Sequence, residues 1–518
     1  MYPIKKYSFL TWIGALSLFL TCQFIIGEES LSPEEENILI SAQEEEEEEE
    51  YIFEESVLVS EQEFKSLMQE QENDILYRNS ATPEELAQLR AINPKKPITL
   101  IIYIAADNDL HPFAWKNIKQ METIGSNNNI NVIVQLNTPG YQNPTKRYVI
   151  KNGRRLLVPA DGDTPTQKLN SGSPYTLINC AAWAMKHYPA DNLIINLWDH
   201  GSGVYDPGIA RIINSSDLFR FNEATNMLEL NHIAEYSDLM YDGEDNDYRQ
   251  NGRGICFDET FKSYMTNQDL KFALSEIQNK VLGGKKIAVL WFDACLMAML
   301  EIANLAKDHV EYLVASEEVE FASGSNYELV LRPFIDKALT PREFACHVVN
   351  SFEKAYQCIT RDYTQSAMDL SGIAELESNV HLVAGQLLSA LQDQKNNSIT
   401  KLLQQCKSRP FCACFEEPSY IDLRNFYINL QANIKLILLN NTSKEASIKY
   451  NLARLLDQGI NLINSAVVAN KVGSNQQRAG GISIYFPERG MFNSYPRCDF
   501  AKTNNWYAMI AQYLLSKK

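Results

Sequence analysis

Asn192-Leu193-Ile194-Ile195-Asn196-Leu197-Trp198-Asp199-His200-Gly201-Ser202-Gly203 decides the fold. Large apolar side chains run with little alternation and then give way at once to a polar, glycine-rich turn. A strand buried on both faces of a parallel sheet needs such a run, because helices cover each side of it. Lys286-Ile287-Ala288-Val289-Leu290-Trp291-Phe292-Asp293-Ala294-Cys295 has the same layout. Working outward, Ile98-Thr99-Leu100-Ile101-Ile102-Tyr103-Ile104 and Asn131-Val132-Ile133-Val134-Gln135-Leu136 are two more such strands. The former leads to the polar turn Asp107-Asn108-Asp109, and Pro112 opens an amphipathic stretch to Met121. Arg147-Tyr148-Val149-Ile150 and Arg155-Leu156-Leu157-Val158 predict a hairpin over Lys151-Asn152-Gly153, and Ser173-Pro174 starts a helix through His187. Strands alternating with helices predict an open, mostly parallel α/β sheet covered on both faces. In such sheets the chemistry sits beyond the carboxyl ends of the strands.

Beyond about residue 340 helical spacing takes over, in segments 341–358, 376–394, 399–406, 420–439 and 443–471. Gly481-Ile482-Ser483-Ile484-Tyr485-Phe486-Pro487 interrupts them as a late strand near 481–487, with the main sheet as one place for it to return to. The division is an α/β domain over 96–340, carrying an insertion around 204–251, and a mainly helical domain over 341–518.

The first hundred residues are of another kind. Lys5 and Lys6 precede an apolar stretch over 9–26, so residues 1–27 read as a signal peptide, with an uncleaved membrane anchor as the rival. Cys22 follows Phe19-Leu20-Thr21, a poor match to a lipidation box. Residues 28–95 hold 21 acidic and 4 basic residues, a balance of −17 out of a net charge of −18 for the whole chain. Charge this dense repels itself and leaves little apolar surface to offset ordering, so the segment is a solvated spacer or a pro-segment. The rest of the chain is close to neutral. A nucleic-acid partner would need a basic stripe against its phosphates, and none stands out. Export is predicted, to the medium, periplasm or envelope, with membrane contact only through the N-terminal segment if it stays uncleaved or is lipidated.

His200 and Cys295 each follow a buried strand, so parallel strands would bring both to one edge. A thiol needs a partner for its proton, and imidazole titrates near neutrality. Glycines after the histidine let backbone approach a substrate and present an N–H to an oxyanion. Taken singly, a strand-end cysteine is usually a small core residue, and a lone histidine is usually just hydrogen-bonded. The pair stays open to both readings.

Further blocks bear on that choice. Tyr103-Ile104-Ala105-Ala106-Asp107-Asn108-Asp109-Leu110, Val132-Ile133-Val134-Gln135-Leu136 and Leu197-Trp198-Asp199-His200-Gly201 come first. Gly254-Ile255-Cys256-Phe257-Asp258, Phe292-Asp293-Ala294-Cys295-Leu296-Met297, Ala315-Ser316-Glu317-Glu318 and Gly480-Gly481-Ile482-Ser483-Ile484-Tyr485-Phe486-Pro487 follow. In this order they resemble the clostripain family of cysteine peptidases, of the caspase-like clan, over about residues 97–490. The resemblance implies a caspase-like α/β/α sandwich with a helical C-terminal extension. It implies Cys295 as nucleophile and His200 as general acid/base, with the backbone N–H groups of Gly201 and Cys295 as oxyanion hole. Asp293 matches the family's acidic residue in the pocket for P1, the substrate residue before the scissile bond, which implies cleavage after Arg or Lys. A partly desolvated carboxylate pairs well with a guanidinium or ammonium and poorly with apolar groups. The structural alternative for Asp293 is a strand-end carboxylate that binds backbone N–H groups.

The chain departs from the family between His200 and Cys295, where 94 residues intervene. The excess includes Asp242-Gly243-Glu244-Asp245-Asn246-Asp247. Family members are commonly activated by self-cleavage after a basic residue in this interval, and Arg211, Arg220, Arg249 and Arg253 are the candidates. No cofactor is required by this reading and no metal ligands are assigned. Calcium at the acidic stretch is an option, since some family members depend on it, but the spacing does not fit an EF-hand loop. Cys406, Cys412 and Cys414 lack a nearby histidine for zinc and are either free thiols or partners in a disulfide. Cys180 and Cys256 read as core, and His111 as a surface-loop histidine with a cleft-lining role as rival. The prediction is an exported cysteine endopeptidase, made as a precursor, acting on proteins or peptides with Arg or Lys at P1. A non-catalytic binding or scaffold protein on the same fold and another thiol amidase are the alternatives.

Overall fold

β-Branched and aromatic side chains fit a pleated, covered surface, and the four apolar runs form the centre of one nine-stranded sheet. The computed structural model describes residues 81–159, 165–204, 219–222, 227–230, 254–392, 398–437 and 443–517. Strands β1 (Lys96–Ala105), β2 (Ile130–Asn137), β3 (Lys146–Lys151), β4 (Arg154–Leu157) and β5 (Ala190–Trp198) precede the insertion. Hairpin β6 (Phe219–Asn222) and β7 (Met227–Leu230) lies within it, and β8 (Gly254–Asp258) pairs with β9 (Ser263–Thr266) just after it. Then come β10 (Ile287–Asp293), β11 (Val310–Ala315), β12 (Thr364–Asp369), β13 (Tyr420–Asp422), β14 (Val467–Val472) and β15 (Ser483–Tyr485). The sheet order is β14-β12-β11-β10-β5-β1-β2-β3-β4. Its five central strands are parallel, and the two strands at each edge are antiparallel.

Helices flank the sheet in two groups. One comprises α1 (His111–Glu122), α5 (Tyr327–Leu331) and α6 (Pro341–Tyr356), the other α2 (Pro174–His187), α3 (Asn267–Glu276) and α4 (Leu300–Ala306). Thr266 and Thr340 start α3 and α6 with reciprocal capping boxes to Asp269 and Glu343, which satisfy otherwise orphaned N–H groups. The expected α/β/α arrangement with a mostly parallel sheet is therefore what the chain adopts.

Beyond residue 340, α7 (Ile373–Gln392), α8 (Ser398–Lys407), α9 (Leu423–Ile437) and α10 (Ser443–Ala466) follow the helical spacing. The helix read over 443–471 stops at Ala466, and Val467–Val472 becomes β14 on the sheet's edge beside β12. The main sheet thus takes its last two strands from beyond residue 340. The late strand β15 pairs with β13 in a sheet of two strands, and its Ser483 bridges to Met299 just past the thiol-bearing turn. Cys180 and Cys256 are fully buried, and Cys406, Cys412 and Cys414 are buried free thiols. The apolar stretch 9–26 with Cys22, the leader up to residue 80 and most of the insertion lie outside the described residues. Among the described residues no helix is long and apolar enough to cross a membrane.

Ile195 sits at the centre of β5 between β1 and β10 and is fully buried. Ile195→Ala is expected to lower unfolding free energy by about 2–5 kcal/mol in urea titration, from lost transfer energy and the cavity left behind. A loss below about 1 kcal/mol would contradict this placement.

Candidate active site

Strands β5 and β10 are parallel neighbours whose register pairs Trp198 with Asp293. His200 and Cys295 each stand two residues past that pair, on one rim of the sheet. The segments stay in touch beyond the strands: Asp199 N–H donates to Asp293 O at 3.3 Å. A Cβ placed on Gly201 would lie 2.5 Å from Cys295 O, so a side chain at 201 would push the two loops apart. The backbones expected to form the oxyanion hole, at Gly201 and Cys295, are therefore in direct contact.

The thiol is closed in. Cys295 is fully buried, and its Sγ accepts a hydrogen bond from Glu320 N–H at 3.2 Å. Leu296 turns the chain with φ +64°, a conformation costing a bulky residue on the order of 1–3 kcal/mol. Leu296 N–H donates to Glu318 O at 3.1 Å, which holds that turn. Burial pushes the Cys295 thiol well above its usual range, the Glu320 and Glu318 carboxyls push the same way, and the Glu320 N–H partly offsets them.

Asp293 is buried at the end of β10. It accepts from Ser325 N–H at 2.9 Å, from Ser325 Oγ at 3.0 Å and from Tyr327 Oη at 2.7 Å. Gly324, at φ +58°, lets that loop press close, since a Cβ there would lie 2.8 Å from Asp293 Oδ2. The Glu320 carboxyl is the fourth partner, and burial raises the proton affinity of both acids. Two such groups in contact cannot both ionise at modest cost, so they share a proton. Asp293 thus binds backbone N–H, as its structural alternative held, two residues before Cys295 in the chain.

A second acid pair lies further along the same loop. Burial, and then the neighbouring Asp422, hold Glu317 well above the ordinary carboxyl range, and burial lifts Asp422 to about 6. Gly481 N–H donates to Glu317 Oε2 at 2.9 Å and Gly480 N–H to Asp422 Oδ2 at 2.6 Å, which joins this loop to the C-terminal segment. Glu318, lifted by burial to about 7, accepts from Val319 N–H and Glu416 N–H.

His200 is fully buried, and its Nε2 lies 2.8 Å from Asp109 Oδ1. The Phe257 ring meets the imidazole edge to face at 6.4 Å between centroids. His111 opens α1, half-buried, with Nδ1 3.2 Å from Asn108 O, and burial lowers its pKa. Arg220 lies in β6, whereas Arg211, Arg249 and Arg253 and the acidic stretch 242–247 fall outside the described residues. Among the described residues no group of three His, Cys, Asp or Glu side chains is gathered for a metal ion. Neither Glu320 nor Asp109 stands out in the sequence as a candidate for the site. The polar turn after β1 was the available signal for Asp109, and nothing local marked Glu320.

A family model described as the clostripain family matches the chain over residues 102–240 and 213–512. Clostripain of Hathewaya histolytica is 21% identical over 261 residues, which is 46% of this chain and 42% of that protein. The match thus spans less than half the length of this curated relative. A secreted C11 cysteine protease from Bacteroides thetaiotaomicron superimposes with a TM-score of 0.51 at 14% identity, covering 81% of this chain and 100% of its own. That likeness shows the fold. A secreted C11 cysteine protease of the same organism in complex with an irreversible peptide inhibitor covers 80% of this chain and 99% of its own, at 18% identity and a TM-score of 0.49.

Glu317, Glu318, Glu320, Asp293 and Asp422 all hold their protons more tightly folded than unfolded. Between the unfolded carboxyl pKa of about 4 and the raised folded values, the native state binds the extra protons, so rising pH removes stability. The melting temperature is expected to fall from about pH 5 to about pH 8, and to fall less in Glu318→Gln. Equal slopes in the two proteins would contradict the raised value at Glu318.

Proposed function

Because this chain belongs to the clostripain family, we propose that it is an exported cysteine endopeptidase cleaving after Arg or Lys, with Cys295 as nucleophile and His200 as general acid/base. The imidazole takes the Sγ proton, and the thiolate attacks the scissile carbonyl carbon. The Gly201 and Cys295 N–H groups hold the oxyanion of the tetrahedral intermediate. His200 then gives its proton to the leaving amine, and water hydrolyses the thioester.

The P1 preference rests on one observation above the others. The buried Asp293–Glu320 pair is held by hydroxyl, amide and backbone donors, and no lysine or arginine is among its strongest partners. A substrate guanidinium or ammonium would supply the missing counter-charge and release the shared proton. In the closed arrangement Glu320 N–H occupies the sulfur, so the segment carrying it must shift before substrate reaches Cys295. A precursor matured by a cut within 204–253, at Arg211, Arg220, Arg249 or Arg253, fits that need. Export rests on Lys5, Lys6 and the apolar stretch 9–26.

Fluorogenic peptides with Arg, Lys, Asp or Leu at P1 test the specificity. Arg and Lys peptides are expected to turn over, whereas preference for Asp or Leu would overturn it. Cys295→Ala should lose all turnover yet keep its melting curve. Mass spectrometry of the active protein should show two pieces whose new ends fall within 204–253, and an intact active chain would exclude maturation there. Chelation followed by calcium addition tests the acidic stretch, since unchanged turnover would remove calcium from the scheme.

A further inference from the structure

The turn after β1 gives each of its three polar residues a different partner. Asp107 is buried, with Oδ1 accepting from Thr260 Oγ at 2.9 Å and Oδ2 2.7 Å from Lys168 Nζ. Asn108 is buried, and its Nδ2 donates to Asp199 Oδ1 at 2.6 Å, to Ala105 O at 3.0 Å and to Phe257 O at 3.3 Å. Its Oδ1 accepts from Leu110 N–H at 3.0 Å. Asp107 thereby ties the turn to Thr260 and Lys168, and Asn108 fastens it to the return strand β8 and to the residue preceding His200. Asp109 differs from both. Its side chain is 33% exposed and its Oδ1 meets His200 Nε2 at 2.8 Å.

Asp199 is adjacent to His200 in sequence but serves elsewhere. Its oxygens accept from Asn108 Nδ2 and from Phe257 N–H, and burial holds its carboxyl well above the usual range. Neighbouring residues leaving a strand point to opposite sides, which carries Asp199 away from the imidazole's partner position. We propose that Asp109 is the positioning residue of His200: it holds Nε2–H, so that Nδ1 exchanges the proton with the Cys295 thiol, and it stabilises the imidazolium that results.

The step balances within the pair. The Sγ–H proton moves to Nδ1, leaving a thiolate and an imidazolium, and Asp109 remains a carboxylate throughout. A buried imidazolium without an anion beside it would be costly, and a charge-assisted hydrogen bond offsets that cost as the proton transfers. The inference rests on the assignment of Cys295 and His200 above, so the test needs a readout independent of peptide specificity.

The full-length protein and its Asp109→Ala, Asp109→Asn, His200→Ala and Asp109→Ala/His200→Ala variants would be compared after melting curves confirm folding. Two rates would be read: Cys295 alkylation by iodoacetamide, followed by mass spectrometry, and turnover of an Arg peptide. Asp109→Ala is expected to lower kcat by at least about tenfold with KM within about twofold, the pattern of a lost acid/base function rather than lost binding. Asp109→Asn should fall between Asp109→Ala and wild type, because its amide oxygen still accepts from Nε2–H. Alkylation should slow in Asp109→Ala, and the double variant should be no slower than His200→Ala alone, because Asp109 acts through His200. Wild-type alkylation rates in Asp109→Ala, or additive effects in the double variant, would each overturn the proposal. Absent Arg-peptide turnover together with non-additive alkylation would leave Asp109 in place and remove only the P1 specificity. If Asp109→Ala does not fold, the Asp109→Asn comparison decides alone: alkylation at the wild-type rate overturns the proposal and slowed alkylation supports it.

Discussion

Side-by-side, parallel pairing of β5 with β10 is the constraint from which the rim of the sheet is built. Because Trp198 faces Asp293 in register, the residues that leave these strands emerge together, and a thiol and an imidazole distant in sequence share one edge. Other contacts rivet the arrangement. Tyr327 Oη lies 3.0 Å from Asn196 Oδ1 of β5 and 2.7 Å from Asp293 Oδ2 of β10, so one phenol ties both strands to the loop over the thiol. Trp198 Nε1 donates to Asn117 Oδ1 at 2.8 Å, and Asn117 Nδ2 donates to Ser323 O at 2.9 Å, which couples α1 to the same loop. Losing the register by one residue would turn these partners to the opposite face together.

The loop itself is held by an unusual means. Burying a carboxylate is costly unless it is neutralised or paired, yet five acidic residues are buried along or against residues 316–325. Protonation and dense hydrogen bonding make the burial tolerable. A closed thiol beneath such a loop is chemically quiet: its proton is held tightly and its sulfur is already occupied. Under the proposed function the same acids would also attract a basic side chain at P1, so restraint and recognition would come from one set of groups.

The central strands were legible because burial on both faces leaves an unbroken apolar signature, and the placement of His200 and Cys295 on one rim was legible because each closes such a run. The sheet's far edge was not. Thr364-Gln365-Ser366 opens β12 with polar side chains, and Val467-Val468 continues the apolar spacing of α10 without a glycine or proline to mark the change. The acidic loop was hidden for a different reason. Glu317 and Glu320 look like solvated surface residues in sequence, and only their meeting with Asp422 and Asp293 across the fold gives them meaning. Asp109 belongs to a polar turn, and a turn of that composition reads alike whether its carboxylate faces water or an imidazole.

The strand order carries one more consequence. Strands from before the insertion (β5, β1, β2) and from after it (β10, β11) lie against each other across a single seam, with β8 clasped onto the first group through Gly201–Ile255 and Asp107–Asp258 bridges. Severing the backbone anywhere between 205 and 253 would therefore not liberate two proteins. The halves would remain one inseparable heterodimer, migrating as a single particle on a sizing column and coming apart only in denaturant.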